Sequence, residues 1–102
     1  MSTSTDIAVD EKVKVQIPEP KQWKVIILND DLTPMEFVIA VLIEVFKHQR
    51  DEATTLTMQV HETGSAVAGV YSFEIAEIKS VEATTLARAE GYPLQFKIEE
   101  EH

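Results

Sequence analysis

Three consecutive side chains between two apolar segments carry the most distinctive chemistry of this sequence. Asn29, Asp30 and Asp31 follow the apolar run WKVIIL (23–28) and precede the run FVIAVLIEVF (37–46). A tight turn needs one such residue, whose side chain accepts hydrogen bonds from nearby backbone N–H groups. A run of such residues offers more acceptors than a turn uses. The cluster therefore leaves two interpretations open: a strand-to-helix turn alone, or a site that binds a cation.

A cation site here would suit a primary ammonium better than a metal ion. A Ca²⁺ loop supplies more oxygen ligands, in an alternating D-x-D-x-D-G pattern that is absent from this sequence. An ammonium group has three donors in a compact tetrahedron and needs about three acceptors from different directions. His61, shortly before Gly64, is available as a further acceptor. A lone histidine is more commonly a surface or core-edge residue, so this assignment depends on its meeting the Asn-Asp-Asp cluster in the fold.

Two other classes of function compete with an ammonium site. A small hydrolase using Asp30, Asp31 and His61 would also need a nucleophile or a bound metal. Ser65 lies near in sequence, but no Gly-x-Ser-x-Gly motif surrounds it, and the chain has no cysteine. We therefore expect no catalytic residue, no metal and no cofactor. In the other alternative the chain is a structural protein-interaction domain, and the polar cluster is only a turn.

The composition bounds the fold and the class of partner. The 102 residues suffice for one domain, and a hydrophobic content of 44% is normal for a globular protein. A net charge of −9, from 18 acidic and 9 basic residues, argues against nucleic acid as a partner. The polar start MSTSTDIAVD does not resemble a signal peptide, and no apolar run approaches the ~20 residues of a membrane span. We expect a soluble cytoplasmic protein that does not bind membranes.

The polar cluster lies between a predicted strand and a predicted helix. Residues 23–28 are bulky or β-branched and end at polar residues, which is typical of a buried strand. Thr33 is the expected N-cap of the next helix, with Pro34 at its first position and Glu36 completing a capping box. Apolar residues then recur at helical spacing as far as Phe46.

The remaining pattern completes a small α/β domain. Residues 1–20 are expected to form a flexible extension, in which VKVQI (13–17) is at most a marginal strand, and residues 21–102 form the core domain. The further elements predicted in chain order are a helix from about 49–51 to 63 ended by Gly64, a strand over 66–71, a helix capped by Ser72 and running to about 90, and a strand over 94–98. The order strand-helix-helix-strand-helix-strand predicts a two-layer α/β sandwich, with a three-stranded antiparallel sheet and three helices.

Four segments, in this order and at this spacing, resemble the ClpS family of bacterial N-degron adaptors of the ClpAP protease. They are VIILNDDLTPMEFVIAVL, ATTLTMQVH, GVYSFEIAEIK and PLQF, within roughly residues 23–99. The signature NDD-x-TPMEFV, here residues 29–38, is the most specific of these matches. The resemblance implies the sandwich predicted above, preceded by an N-terminal extension. It also implies an adaptor rather than an enzyme.

The resemblance further implies a substrate and a partner. ClpS proteins bind substrates whose first residue is Leu, Phe, Tyr or Trp and deliver them to the N-terminal domain of the AAA+ unfoldase ClpA, for degradation by ClpP. By position, Asn29, Asp31 and His61 would bind the substrate's α-ammonium group, with Asp30 adjacent and assisting. The other positions implied are Thr33, Met35, Val38, Val41, Thr57 and Leu94 in the hydrophobic pocket, and Glu74 and Lys79 on the unfoldase-facing surface. The alternative remains a structural interaction domain without N-degron recognition.

One position departs from the family pattern. The family usually has Met in the second helix where the segment ATTLTMQVH places Thr57, and this Met helps to exclude N-terminal residues that branch at Cβ. Met58 is one residue later and is turned by about 100° around the helix, so it is not expected to replace the missing side chain. We therefore hypothesise that the preference for the N-terminal residue is altered in this protein.

Overall fold

The computed structural model describes residues 20–101. The predicted extension, including the marginal strand over 13–17, lies outside the described residues apart from Pro20. The elements in chain order are β1 (Trp23–Leu28), α1 (Met35–Glu44), α2 (Arg50–Thr63), β2 (Ser65–Tyr71), α3 (Phe73–Ala89) and β3 (Gln95–Glu100). The predicted order of elements is therefore confirmed.

The three strands form one antiparallel sheet with β1 at its centre, in the order β2-β1-β3. Leu28, at the end of β1, pairs with Ser65 at the start of β2 and with Gln95 at the start of β3. The predicted three-stranded antiparallel sheet with three helices is confirmed. Because β1 is central, the polar cluster that follows Leu28 lies at one end of the sheet, beside the start of β2.

The burial of β1 explains its continuous apolar sequence. Val25 and Ile27 are fully buried in the main core, and Ile26 between them is only 8% exposed although it lies outside that core cluster. Successive side chains of a strand point to opposite faces, so both faces of β1 are covered in its middle. A central strand therefore shows an apolar run rather than an alternating pattern.

A β-bulge in β2 is held by a histidine from the connection between α1 and α2. Ala68 is the extra residue at the irregularity in the β1–β2 pairing. His48 Nε2 lies 2.5 Å from the Ala68 carbonyl oxygen, and His48 Nδ1 lies 2.9 Å from Glu52 Oε1. A carbonyl oxygen only accepts, so the His48 Nε2–H donates to Ala68. His48 thus ties the α1–α2 connection to the sheet.

The start of α1 differs from the sequence prediction. The helix begins at Met35 with Pro34 at the N-cap position, and no side chain caps it. Thr33 is not the N-cap; its N–H and its hydroxyl both donate to the Asp30 carboxylate, at 2.7 and 2.8 Å. The predicted capping box of Thr33 and Glu36 is therefore wrong. The bonds to Asp30 hold Thr33 in the turn that precedes the helix, two residues before Met35.

Two other helix boundaries follow the predicted signals. Gly64 ends α2 in the left-handed conformation (φ 98°), and its N–H donates to the Val60 carbonyl. This conformation favours glycine, which has no Cβ to clash. Ser72 caps α3, where its hydroxyl accepts a hydrogen bond from the Ile75 N–H at 3.4 Å. Both predictions are confirmed.

Candidate functional site

A pocket of about 360 Å³ lies where the end of β1, the start of α1 and the last turns of α2 meet. It contains both hydrogen-bonding and apolar side chains. The residues that line it are Asn29, Asp30, Asp31, Leu32, Thr33, Pro34, Met35, Val38, Thr57, Val60 and His61. The structure therefore brings the predicted acceptor cluster together with His61 and with four of the six residues predicted to form the hydrophobic pocket.

A backbone hydrogen bond joins the two segments that carry the acceptors. The Asn29 N–H donates to the Gly64 carbonyl at 2.9 Å, immediately beyond the Leu28–Ser65 pair of the sheet. His61 lies in the last turn of α2, just before Gly64. Ending α2 at Gly64 thus places His61 beside the end of β1. The first strand and the second helix are far apart in sequence, and this contact makes them neighbours.

The loop after β1 is organised around the carboxylate of Asp30. Asp30 Oδ1 accepts hydrogen bonds from the Leu32 N–H at 2.8 Å and the Thr33 N–H at 2.7 Å, and Oδ2 accepts from the Thr33 hydroxyl. Burial raises the pKa of Asp30, but the hydrogen bonds from Thr33 and Leu32 and the charge of Arg88 outweigh it, so the pKa is lowered overall. The Asp30 carboxylate is therefore already hydrogen-bonded within its own loop.

The other acceptors at the pocket are exposed and unused. Asn29, Asp31 and His61 are all exposed to solvent. Within residues 20–101, none of the hydrogen bonds or ion pairs involves their side chains. Their oxygen and nitrogen atoms are consequently available to a ligand. An amide oxygen, a carboxylate and a neutral imidazole are all hydrogen-bond acceptors.

The apolar lining comes from α1 and α2. Met35 is 39% exposed, whereas Val38, Thr57 and Val60 are buried. The Thr57 hydroxyl donates to the Ala53 carbonyl at 2.8 Å, so the helix already uses its polar atom. Val60 also lines the pocket and was not predicted to, although it lies three residues after Thr57 and so shares a face of α2 with it.

Two residues predicted for the hydrophobic pocket lie elsewhere. Val41 and Leu94 are 2% and 1% exposed, and both belong to the main core cluster. Neither is among the residues that line the pocket. Their contribution to ligand binding stays a prediction. Met58, 40% exposed, does not line the pocket either, in agreement with its expected rotation away from Thr57.

The two residues predicted to face an unfoldase lie on α3, outside the pocket. Glu74 is exposed in the first turn of α3. Lys79 is less free than a solvated lysine, because its ammonium group donates to the Val45 carbonyl at 2.8 Å and lies 5.9 Å from the centroid of the Tyr71 ring. Lys79 therefore holds the end of α1 against α3, and its interface role stays a prediction.

The family model described as "ATP-dependent Clp protease adaptor protein ClpS" matches residues 18–97. The chain belongs to the ClpS family. A ClpS adapter protein of Treponema denticola is 48% identical over 81 residues, which cover 79% of this chain and 80% of that protein. A ClpS adapter protein of Helicobacter hepaticus is 41% identical over 93 residues, which cover 91% of this chain and 94% of that protein.

A solved structure of a ClpS protein has the same fold. Agrobacterium tumefaciens ClpS2, bound to L-phenylalaninamide, is 47% identical and superimposes with a TM-score of 0.79. The match covers 81% of this chain and all (100%) of the ClpS2 chain. The fold predicted from the element order is therefore that of a ClpS protein.

Membership of the family decides against the hydrolase alternative. ClpS proteins are adaptors that regulate the Clp protease and have no catalytic activity of their own. Among residues 20–101, no group of three or more His, Asp or Glu side chains is arranged to hold a metal ion. None of the helices within residues 20–101 combines the length and the hydropathy of a transmembrane segment.

Proposed function

We propose that this protein binds the free α-ammonium group and the large hydrophobic side chain of an N-terminal Leu, Phe, Tyr or Trp. It then delivers the substrate to the ClpA unfoldase for degradation by ClpP, in the bacterial cytoplasm. The observation that carries the proposal is the pocket, which combines three unused acceptors with an apolar wall. A plain docking domain has no need for acceptors that converge on one pocket.

The three free acceptors match the donors of an ammonium group. Asn29, Asp31 and His61 approach the pocket from two different segments, the loop after β1 and the end of α2. A buried N–H donor without a partner is costly, so an ammonium group needs all its donors satisfied on binding. Acetylation removes the positive charge and two of the donors. We therefore expect a blocked N-terminus to be rejected.

The pocket volume suits the side chain of a single residue. About 360 Å³ lies near the lower end of the roughly 300–1,000 Å³ that small-molecule sites occupy. Burying an aromatic side chain of about 150–250 Å² at about 25 cal/mol per Å² contributes at most ~4–6 kcal/mol. A small first residue such as Ala buries much less area. Met35, at the exposed edge of the wall, has the flexibility to fit flat and branched side chains.

The ligand of the Agrobacterium ClpS2 structure supports this proposal. L-phenylalaninamide has a free α-amino group and an aromatic side chain, which are the two features that the pocket of the present protein is suited to bind. Thr57 lies in the wall of that pocket and is a shorter side chain than the family's usual Met. We therefore propose that the pocket here admits some residues that branch at Cβ.

Delivery to the unfoldase would use a surface other than the pocket. Glu74 is exposed on α3, and a charge reversal there would weaken an interface without changing the peptide site. Glu74→Lys should therefore keep its affinity for peptide and lose delivery. Equal delivery by Glu74→Lys and the unmodified protein would contradict the placement of Glu74 at the interface.

The test of the whole proposal is a binding and degradation assay with matched variants. We expect a labelled peptide beginning with Phe to bind, and the same peptide beginning with Gly to bind at least about tenfold more weakly. Asp31→Ala should lose binding, whereas Glu77→Ala, which removes the same charge from the exposed surface of α3, should not. With ClpA and ClpP present, a reporter beginning with Phe should be degraded faster when the adaptor is added. Equal binding of both peptides would instead favour the structural interaction domain.

A further inference from the structure

Asp30 and Asp31 are adjacent in sequence, but the structure gives their carboxylates different tasks. Both oxygens of Asp30 accept hydrogen bonds from its own loop, two at Oδ1 and one at Oδ2. Asp31 is exposed, and its side chain accepts no hydrogen bond from residues 20–101. Both residues line the pocket.

We propose that Asp30 is a positioning residue that shapes the amine-binding loop from within, and that it is not itself an acceptor for the ammonium group. This inference rests on the proposed function. Each carboxylate oxygen has two lone-pair sites, so Oδ1 is fully used by the N–H groups of Leu32 and Thr33. Oδ2 has one site left after it accepts from the Thr33 hydroxyl. Asp31 retains all of its sites for the ligand.

The hydrogen bonds to Asp30 stabilise the turn before α1, which has no side-chain cap of its own. Helix α1 begins without a side-chain cap, and its first turn reaches back only to the Pro34 carbonyl, which accepts from the Phe37 and Val38 N–H groups. The Asp30 carboxylate accepts hydrogen bonds from the Leu32 N–H and from the N–H and hydroxyl of Thr33, and thereby closes the turn between β1 and α1. Closing this turn fixes the backbone on both sides of Asp31. A loop ordered before binding avoids the entropic cost of ordering it on the ligand.

A cation of the protein itself, Arg88, also acts on the Asp30 carboxylate. The charge of Arg88 contributes to lowering the pKa of Asp30. The guanidinium of Arg88 is itself fixed, because its Nη1 donates to the Tyr92 carbonyl at 2.9 Å and to the Leu94 carbonyl at 2.8 Å. Asp30 thus already lies in the field of a cation supplied by α3 and held by the chain before β3.

The two aspartates permit a matched pair of substitutions. Asp30→Asn and Asp31→Asn remove the same charge one residue apart. The amide oxygen of Asn accepts the two backbone hydrogen bonds that Asp30 Oδ1 accepts now, so Asp30→Asn retains the turn. Asp30→Ala removes the charge and the turn together. A positioning role therefore predicts rescue by Asn, and a direct ionic role does not.

The decisive assay titrates L-phenylalaninamide into each variant after thermal unfolding has shown that it is folded. We expect Asp30→Asn to bind within about threefold of the unmodified protein, and both Asp30→Ala and Asp31→Asn to bind at least about tenfold more weakly. Binding of Asp30→Asn as weak as that of Asp31→Asn would overturn the proposal, because the charge of Asp30 would then act directly. Binding of Asp30→Ala as tight as that of the unmodified protein would also overturn it.

Amide hydrogen exchange measures the turn without any ligand. The N–H groups of Leu32 and Thr33 should exchange slowly in the unmodified protein and in Asp30→Asn, and at least about tenfold faster in Asp30→Ala. Equal exchange in all three proteins would overturn the positioning role. If the unmodified protein does not bind L-phenylalaninamide, the proposed function fails, and the exchange rates alone then decide whether Asp30 holds the loop.

Discussion

Replacing Thr57 by Met should make the pocket reject N-terminal residues that branch at Cβ. Thr57 is 2% exposed and lines the pocket beside Val60. Its hydroxyl is bonded to the Ala53 carbonyl, so Thr57 presents a short, β-branched side chain at this point of the wall. The longer and flexible Met would extend into space that an N-terminal Ile or Val needs.

The size of the effect follows from the cost of overpacking. Forcing an additional methylene-sized group into a filled apolar site typically costs about 1–3 kcal/mol. Since about 1.4 kcal/mol corresponds to a tenfold change in affinity, peptides beginning with Ile or Val should bind Thr57→Met about 5- to 140-fold more weakly. Leu and Phe are unbranched at Cβ, so the affinity of Thr57→Met for peptides beginning with them should change by less than about threefold.

The assay is competition by peptides that differ only in the first residue: Leu, Ile, Val, Phe or Trp. Thr57→Val is the matched control, because it removes the hydroxyl and keeps the branched shape, so its ranking should equal that of the unmodified protein. Met58→Ala is a positional control, since Met58 lies on the same helix outside the pocket. An unchanged ranking in Thr57→Met would refute the role assigned to Thr57.

Three further predictions concern titratable groups. His61→Ala should weaken peptide binding, because the pocket then loses one of its three free acceptors; unchanged affinity in the folded variant would argue against this contact. Since the pKa of Asp30 is lowered in the folded state, the stability it contributes is present above its ordinary value of 3.8 and is lost as the pH falls through the folded value. The stability difference between the unmodified protein and Asp30→Asn, measured by urea unfolding, should therefore disappear in acid, and a difference that grows in acid would contradict the assignment. His48→Ala should destabilise the fold by about 1–3 kcal/mol in urea unfolding, because the Ala68 carbonyl loses its side-chain partner at the bulge; unchanged stability would show that the contact is dispensable.

The order of elements was predictable because local signals and burial agree. β1 begins and ends as predicted, since its bulky, apolar residues are bounded by polar ones. Gly64 and Ser72 mark helix ends by their own backbone and side-chain chemistry, which needs no distant partner. Such local signals predict a helix end without knowledge of the tertiary structure.

The start of α1 was not predictable from its cap pattern because two polar residues compete there. Thr33 has the spacing of an N-cap, but Asp30, three residues earlier, binds both its N–H and its hydroxyl. A carboxylate at that distance can close the turn by itself, and the helix then starts at Met35 without a side-chain cap. A pattern of residue types does not show whether the Thr33 side chain caps the helix or hydrogen-bonds to Asp30.

The membership of the pocket depends on contacts between distant segments. The Asn29–Gly64 hydrogen bond, which brings His61 beside the polar cluster, follows from the β1–β2 register and not from any local motif. Val60 could have been found from its helical spacing to Thr57. The position of Leu94 could not be predicted in this way, because a buried apolar residue can face either a pocket or the core.

Recognition of a free N-terminus can be tested by titrating isotope-labelled protein with L-phenylalaninamide and with its N-acetylated form, while following the NMR signals of the pocket residues. We predict that the free amine binds and shifts the signals of Asn29, Asp31 and His61. The acetylated form should leave them unchanged at the same concentration. Equal shifts with both forms, or shifts confined to residues outside the pocket, would contradict recognition of a free N-terminus by these three acceptors.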